Sequence, residues 1–182
     1  MLSDCPHENL PSAPAAEGGD DRKWMSRALA LAAEAAALGE VPVGAVIVRD
    51  GVEIAAASNR VETRKDAMAH AEVLALKQAE EAVGDWRLTE CTMYVTKEPC
   101  AMCAGAAVNA RLGNLVFGVS DPRMGASGGA LDITSFPGML HRVNVRSGIM
   151  EDECRAILQN FFRERRRCAH NLPKPSGPSG NA

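Results

Sequence analysis

The sequence predicts an α/β domain: a central mixed sheet of about five strands with helices on its faces. Three observations predict it. Short runs rich in β-branched residues alternate with helix-forming stretches, two of these runs meet at an Asp-Gly turn, and helical stretches separate the later runs. At 182 residues, 46% hydrophobic and 24% charged, the chain suits one domain with tails and a sizeable core.

Residues 22–38 are rich in Ala and Leu, with Gly39 placed as a helix stop. Val43 to Val48, then Arg49-Asp50-Gly51, then Val52 to Ala57 reads as a β-hairpin. Asn59 to Ala67 is polar and is expected to be loop, leading to a helix over Ala69–Ala82. Cys91 to Thr96 is a strand, and Pro99 suits the first turn of a helix over Cys100–Ala110, where its missing N–H is not needed. Leu115–Val119 is a further strand. Asp121–Gly138 is rich in Gly and Pro and is expected to be loop, with a helical turn near Leu131. Val143–Val145 is a short strand candidate, and Glu151–Arg167 a final helix, acidic at its start and basic at its end, as the helix dipole favours. The hairpin should be antiparallel and the strands joined by crossovers parallel.

The ends differ in composition. Residues 1–21 carry Pro, Gly, Ala and acids without the basic start and apolar core of a signal peptide, and read as a flexible leader. Residues 22–168 form the expected folded domain, and 169–182 a Pro/Gly/Ser tail that cannot pack. No apolar run approaches the roughly 20 residues that span a membrane. Six cysteines without a secretion signal fit a reducing compartment, so a cytoplasmic location is expected. The net charge of −3 gives no global signal for a polyanion partner, which would need a local basic patch.

His70-Ala71-Glu72 and Pro99-Cys100-Ala101-Met102-Cys103 carry the chemistry. One His and two Cys hold Zn²⁺ through three protein ligands and leave its fourth position to water. Glu72, two residues from His70, is free to move protons to and from that water. A structural zinc site would close all four positions. Cys100 and Cys103, three apart at a helix start, reach one metal and feel the positive end of the helix dipole. A C-x-x-C pair alone is as often redox or packing, and a lone His usually a satisfied core or surface residue; the combination is far more specific. Glu72 and His70 do not share a helical face at i and i+2, so they converge only if the helix begins at His70. Among the other cysteines, Cys91 and Cys154 read as core, and Cys5 and Cys168 as tail thiols. His141 reads as a loop hydrogen-bonder, and His7 and His170 fall in the ends. Phe161 to Arg167 interleaves two aromatics with four arginines. Alone it reads as a helix with a packed Phe face and a solvated Arg face, with RNA contact as the functional alternative.

H-x-E…P-C-x-x-C is the pattern of zinc nucleobase deaminases. From about Met25 to Arg167 the chain closely resembles the bacterial tRNA-specific adenosine deaminases, of the cytidine-deaminase-like superfamily, which convert the wobble adenosine of an arginine tRNA to inosine. The matching blocks are Glu40–Ala45, Asn59-Arg60, His70–Glu72, Tyr94–Thr96, Glu98–Gly105, Phe117-Gly118, Pro137–Met139, His141–Val143 and Phe161–Arg163. The zinc motif gives the chemistry; the other blocks point to tRNA. The resemblance implies a three-layer α/β/α fold, one Zn²⁺ per subunit on His70, Cys100 and Cys103, and Glu72 as proton shuttle. It implies substrate contacts at Asn59, Ala71, Asp121, Phe162, Arg165 and Arg166, a tRNA anticodon stem-loop as partner, and a homodimer whose substrate groove is built partly from both chains. Three positions depart from the family: Ala67-Met68-Ala69 in place of Pro-Thr-Ala, Lys97 where an apolar residue is common, and Asn109 where His is frequent. Two alternatives carry the same motif: a free-base or nucleoside deaminase, such as one for guanine or cytosine, and a non-enzymatic zinc-binding module.

Overall fold

The computed structural model describes residues 19–170. In chain order these form α1 (Gly19–Ala37), β1 (Gly44–Arg49), β2 (Val52–Ser58), α2 (Val61–Arg64), α3 (Ala71–Val83), β3 (Cys91–Lys97), α4 (Ala101–Asn109), β4 (Asn114–Val119), β5 (Asn144–Ser147) and α5 (Glu151–His170). The sheet order is β2-β1-β3-β4-β5. β1 pairs antiparallel with β2 and β3, while β3–β4 and β4–β5 are parallel, so the expected mixed sheet forms.

Alternation along the strands builds the three layers. Ala45, Ile47, Met93, Val95, Leu115 and Phe117 point into one core, beneath α3 and α4. Their neighbours Val46, Val48, Tyr94 and Val116 point to the other side, where they meet Trp24, Met25 and Leu31 of α1 and Cys154 of α5. This is the two-residue period of a sheet covered on both faces. Asp50 and Gly51 have φ of 51° and 73°, the two positive values that a tight hairpin turn requires.

Four expectations are corrected. The fold begins before residue 22: Asp21 is buried in α1, accepts a hydrogen bond from the Tyr94 hydroxyl (2.9 Å) and pairs with Arg146 at 2.7 Å. At the other end, α5 runs into the expected tail, to His170. The stretch 59–67 contains the one-turn helix α2, whose first N–H groups are capped by a distant side chain, Glu40. Near Leu131 no helical turn forms. Asp132 instead accepts hydrogen bonds from the Thr134 hydroxyl and the Ser135 N–H, making a local turn. Cys5, His7 and residues 171–182 lie outside the described residues.

Candidate metal and catalytic site

Four of the five strands run in one direction and β1 runs against them. One edge of the sheet therefore collects the residues that follow β2, β3 and β4 together with those that precede β1. Glu40, Asn59, His70, Glu72, Glu98, Cys100 and Asp121 come from these connections, and Lys97 is the last residue of β3. Strand carboxyl ends are where an α/β sheet ordinarily opens a site.

His70 is the residue at which α3 begins, with extended backbone (φ −70°, ψ 148°), and Cys100 stands in the same position for α4 (φ −72°, ψ 175°). Pro99 thus precedes the helix start instead of lying in its first turn. The His70 Nδ1 is 3.8 Å from the Cys100 Sγ and 3.4 Å from the Cys103 Sγ, and the two sulfurs are 3.7 Å apart. These donors are close enough to hold one metal ion. Since α3 has only just begun, Glu72 converges with His70 as the spacing requires.

The three donors act on one another's protons. Contacts from the Cys103 thiol, then from His70, pull the Cys100 pKa down to about 3, while Cys100 and burial push the Cys103 thiol up. His70 is raised, first by its contact with Cys100. Glu72 is 4% exposed, and burial raises its pKa against the opposing pull of His70. A carboxyl lifted in this way holds a proton more readily than an exposed one, as a proton shuttle needs.

A cavity of about 240 Å³ opens beside these groups and includes Val41, Val43, Asn59, Glu72 and Lys97 in its wall. This is smaller than the roughly 300–1,000 Å³ of clefts for drug-sized ligands and suits a single ring system. Asn59 is buried, and its amide is oriented by Glu40. The fully buried Glu40 carboxylate accepts from the Asn59 Nδ2 (3.1 Å), the Glu62 N–H (3.1 Å) and the Thr63 N–H (2.6 Å). A carboxylate only accepts, so the Asn59 nitrogen must face it. Burial opposes ionisation of Glu40, yet the Thr63 and Glu62 donors outweigh it and hold the pKa below the usual carboxylate value.

Glu98, 2% exposed, performs the matching task on the far side. It accepts N–H groups from Asp121 (2.8 Å), Ser127 (3.0 Å) and Gly129 (2.8 Å), and Ala126 N–H donates to the Pro99 carbonyl (2.8 Å). The loop after β4 is thereby folded around the segment that carries Cys100. A Cβ on Gly125 or Gly129 would lie 2.2 or 2.5 Å from the Glu98 carboxylate group, which explains two of the glycines in this loop. Asp121 accepts from the N–H groups of Arg123 (2.9 Å) and Met124 (3.2 Å) and pairs with Lys97 at 2.6 Å. Burial opposes its ionisation, but Lys97 and those N–H groups hold its pKa low.

Other candidates sit apart. Ala71 is buried with its methyl in the core beneath α3, so only its backbone can serve a substrate. Phe162 and Arg166 line a separate, open concavity with Arg123, Leu158, Gln159 and Arg163. Arg165 turns elsewhere: it donates to the Gly39 carbonyl (2.9 Å) and lies over the Phe161 ring. Phe161 is buried while Phe162 is exposed, so the two rings divide between core and surface. His141 meets the Leu112 carbonyl at 2.7 Å, as a loop hydrogen-bonder should. Cys91 and Cys154 are buried, as expected of core residues, whereas Cys168, expected in the tail, is an exposed residue of α5. Met68 is an exposed residue just ahead of His70, whereas Asn109 lies at the far end of α4 from the site.

Comparison with known proteins agrees with this geometry. A family model described as MafB19-like deaminase matches residues 19–166. The tRNA-specific adenosine deaminase of Bacillus subtilis is 45% identical over 147 residues, which span 81% of this chain and 91% of that protein. The chain belongs to the tRNA-specific adenosine deaminases. A solved tRNA:A34 deaminase, studied for A-to-I editing at the wobble position of transfer RNA, superposes with a TM-score of 0.72 and 42% identity. The match covers 75% of this chain and 99% of that one. A guanine deaminase from Nitrosomonas europaea shares the fold (TM-score 0.68, 88% of this chain and 98% of that one) at 23% identity. The fold is therefore common to deaminases of different substrates, while the sequence likeness lies with the tRNA deaminase family. Glu40 and Glu98 escaped the sequence reading as individual residues, although each stands in a block that matches that family.

Proposed function

We propose that this chain deaminates the wobble adenosine of an arginine tRNA to inosine, with Zn²⁺ held by His70, Cys100 and Cys103. The observation that carries the reading is the donor triangle beside a buried Glu72. Tetrahedral Zn²⁺, with bonds of about 2.3 Å to S and about 2.0–2.1 Å to N, demands donor separations of about 3.8 Å for S···S and about 3.5 Å for N···S. The separations of 3.7, 3.4 and 3.8 Å support that ion. Bound there, Zn²⁺ would lower the pKa of a water to about 7 and leave the fourth position open for it.

Glu72 takes a proton from the attacking water and delivers it to N1 of adenine as the water oxygen bonds to C6. It then moves the proton of the new C6 hydroxyl to the C6 amine, and the C–N bond breaks as the C6 carbonyl forms, so adenine and water give hypoxanthine and ammonia. Asn59, its amide fixed by Glu40, is placed to hydrogen-bond the inserted base. Glu98 and Asp121 hold the loop that frames the entrance. An anticodon loop offers a base that is splayed out at low unstacking cost. Phe162 and Arg166 then provide stacking and phosphate contact on α5, with Arg165 at the margin of that surface.

Assembly as a homodimer is part of the proposal. Leu131, Phe136, Met139 and Leu140 leave apolar side chains exposed on the segment after β4, with Leu140 at 90%. Such a patch suits a second copy of the chain at the edge of the site. Sedimentation at micromolar concentration should give a dimer, and a Leu140→Glu variant should shift it toward monomer. No helix among the described residues is long and apolar enough to cross a membrane. A cytoplasmic location follows from the proposed substrate.

The experiment for the function is conversion of adenosine in an arginine-tRNA anticodon stem-loop, read as inosine after nuclease digestion. Conversion of a free base or nucleoside alone would replace the substrate while keeping the chemistry. A zinc-binding module would need a fourth protein donor; the ligand group found among the described residues has three.

A further inference from the structure

The wall of the deamination pocket is acidic for a site that must admit RNA. Glu40, Glu62, Glu72 and Glu98 all contribute to it, and Lys97 is the one Lys or Arg among its described lining residues. Glu40 and Glu98 are occupied by backbone and amide N–H donors, as described above. Lys97 is half-buried at the last position of β3, directly opposite Val119 on β4, two residues before Asp121. Its ammonium meets the Asp121 carboxylate at 2.6 Å.

This ion pair is built so that one partner can leave. Asp121 has its own anchorage: its other carboxylate oxygen accepts from the Arg123 and Met124 N–H groups, and its own N–H donates to Glu98. The loop does not need Lys97 to hold Asp121 in place. An ammonium has three N–H donors, and the ion pair accounts for one of them. A phosphate oxygen is an anionic acceptor like the Asp121 carboxylate, so it can share or displace this ion pair.

We propose that Lys97 is a substrate-positioning residue that binds a backbone phosphate of the RNA beside the nucleotide inserted in the pocket. The assignment rests on the reading that RNA is the substrate. Lys97 gives a pocket wall rich in glutamate a cation for the incoming polyanion, and it fixes the RNA chain at the rim while Asn59 and Glu72 engage the base. The ligand class is a phosphodiester of a single-stranded loop. A free base carries no such group.

The test uses zinc-loaded protein with Glu72→Ala, so that bound RNA is not turned over. Affinity for an anticodon stem-loop is measured across a range of salt concentrations, with and without Lys97→Met. Lys97→Met should weaken binding about tenfold at low salt. It should also flatten the plot of log Kd against log salt by about 0.7, the value of one phosphate contact on a single strand. Lys97→Arg should keep the parental slope. Lys97→Gln serves as a second neutral variant should Met disturb folding, with zinc content and thermal melting as controls. An unchanged slope in both neutral variants overturns the assignment, whatever their affinities, because a merely structural Lys97 would not alter counterion release. Failure of the Lys97-containing parent to bind the stem-loop would instead overturn the RNA reading, and this inference with it.

Discussion

Replacing Glu40 with Ala tests how much of the site depends on one hidden carboxylate. The substitution removes the acceptor of three N–H donors: the Asn59 amide at 3.1 Å, Glu62 at 3.1 Å and Thr63 at 2.6 Å. A hydrogen bond to a charged group contributes about 1.5–3 kcal/mol, so the gross loss is at least about 4 kcal/mol. Glu40 borders the open pocket, and water entering the vacated volume restores part of it. The expected net cost is about 2–3 kcal/mol, a large share of the roughly 5–15 kcal/mol that holds a domain together. Urea unfolding of the two proteins should show a lower midpoint with an unchanged m-value. The pH dependence supplies a second reading. Because the folded-state pKa of Glu40 lies below its ordinary carboxylate value, its contribution is fully present above that value and is lost as pH falls through the folded pKa. Glu40→Gln should therefore differ most from the parent at neutral pH and approach it in acid. The Gln variant should also raise KM for RNA through Asn59, whose amide orientation is no longer forced. A loss below about 0.5 kcal/mol for Glu40→Ala, within the range of ordinary surface substitutions, would refute the claim that this carboxylate organises the pocket wall.

Three further outcomes are expected. Glu72→Ala should keep one zinc per chain by metal analysis while kcat falls at least about a hundredfold, the lower range for a lost general acid–base; substantial retained turnover would remove Glu72 from the proton path. Gly129→Ala should destabilise the protein by about 1–3 kcal/mol, because the new methyl meets both the Asp121 carbonyl oxygen and the Glu98 carboxylate at 2.5 Å and the loop must shift; thermal melting measures it, and a neutral effect would show that the loop backbone and Glu98 both yield. Arg166→Ala should flatten the salt dependence of RNA binding by about 0.7, while Arg165→Ala, whose guanidinium is directed to the Gly39 carbonyl and the Phe161 ring, should change it less. The reverse order would mean that Arg165 leaves those partners to meet the RNA.

The cluster of His70, Cys100 and Cys103 was legible because its information is local: one His and a C-x-x-C pair, each at the start of a helix. The problem of Glu72, two residues from its partner, was also resolvable from sequence, since it requires the helix to begin at His70, as it does. The strands were legible through alternation, and the Asp50-Gly51 hairpin through its turn residues. Less legible were features whose cause lies far along the chain. α2 has little helix-forming sequence of its own, and Glu40, more than twenty residues earlier, caps its N–H groups. Nothing local marks Glu40 or Glu98 as buried, since carboxylates are ordinarily exposed and these two depend on N–H donors from other segments. The division of Phe161 from Phe162, and of Arg165 from Arg166, depends on where α5 meets the sheet and the end of α1. That orientation is tertiary, and spacing alone left both pairs undivided.

The most direct measurement incubates protein of known zinc content with an arginine-tRNA anticodon stem-loop carrying wobble adenosine, beside free adenosine, cytidine, cytosine and guanine. Nuclease digestion and mass spectrometry should find inosine at the wobble position and no turnover of the free compounds. Turnover of guanine or another free compound, with the stem-loop unchanged, would contradict the account and leave the site as that of a small-molecule deaminase.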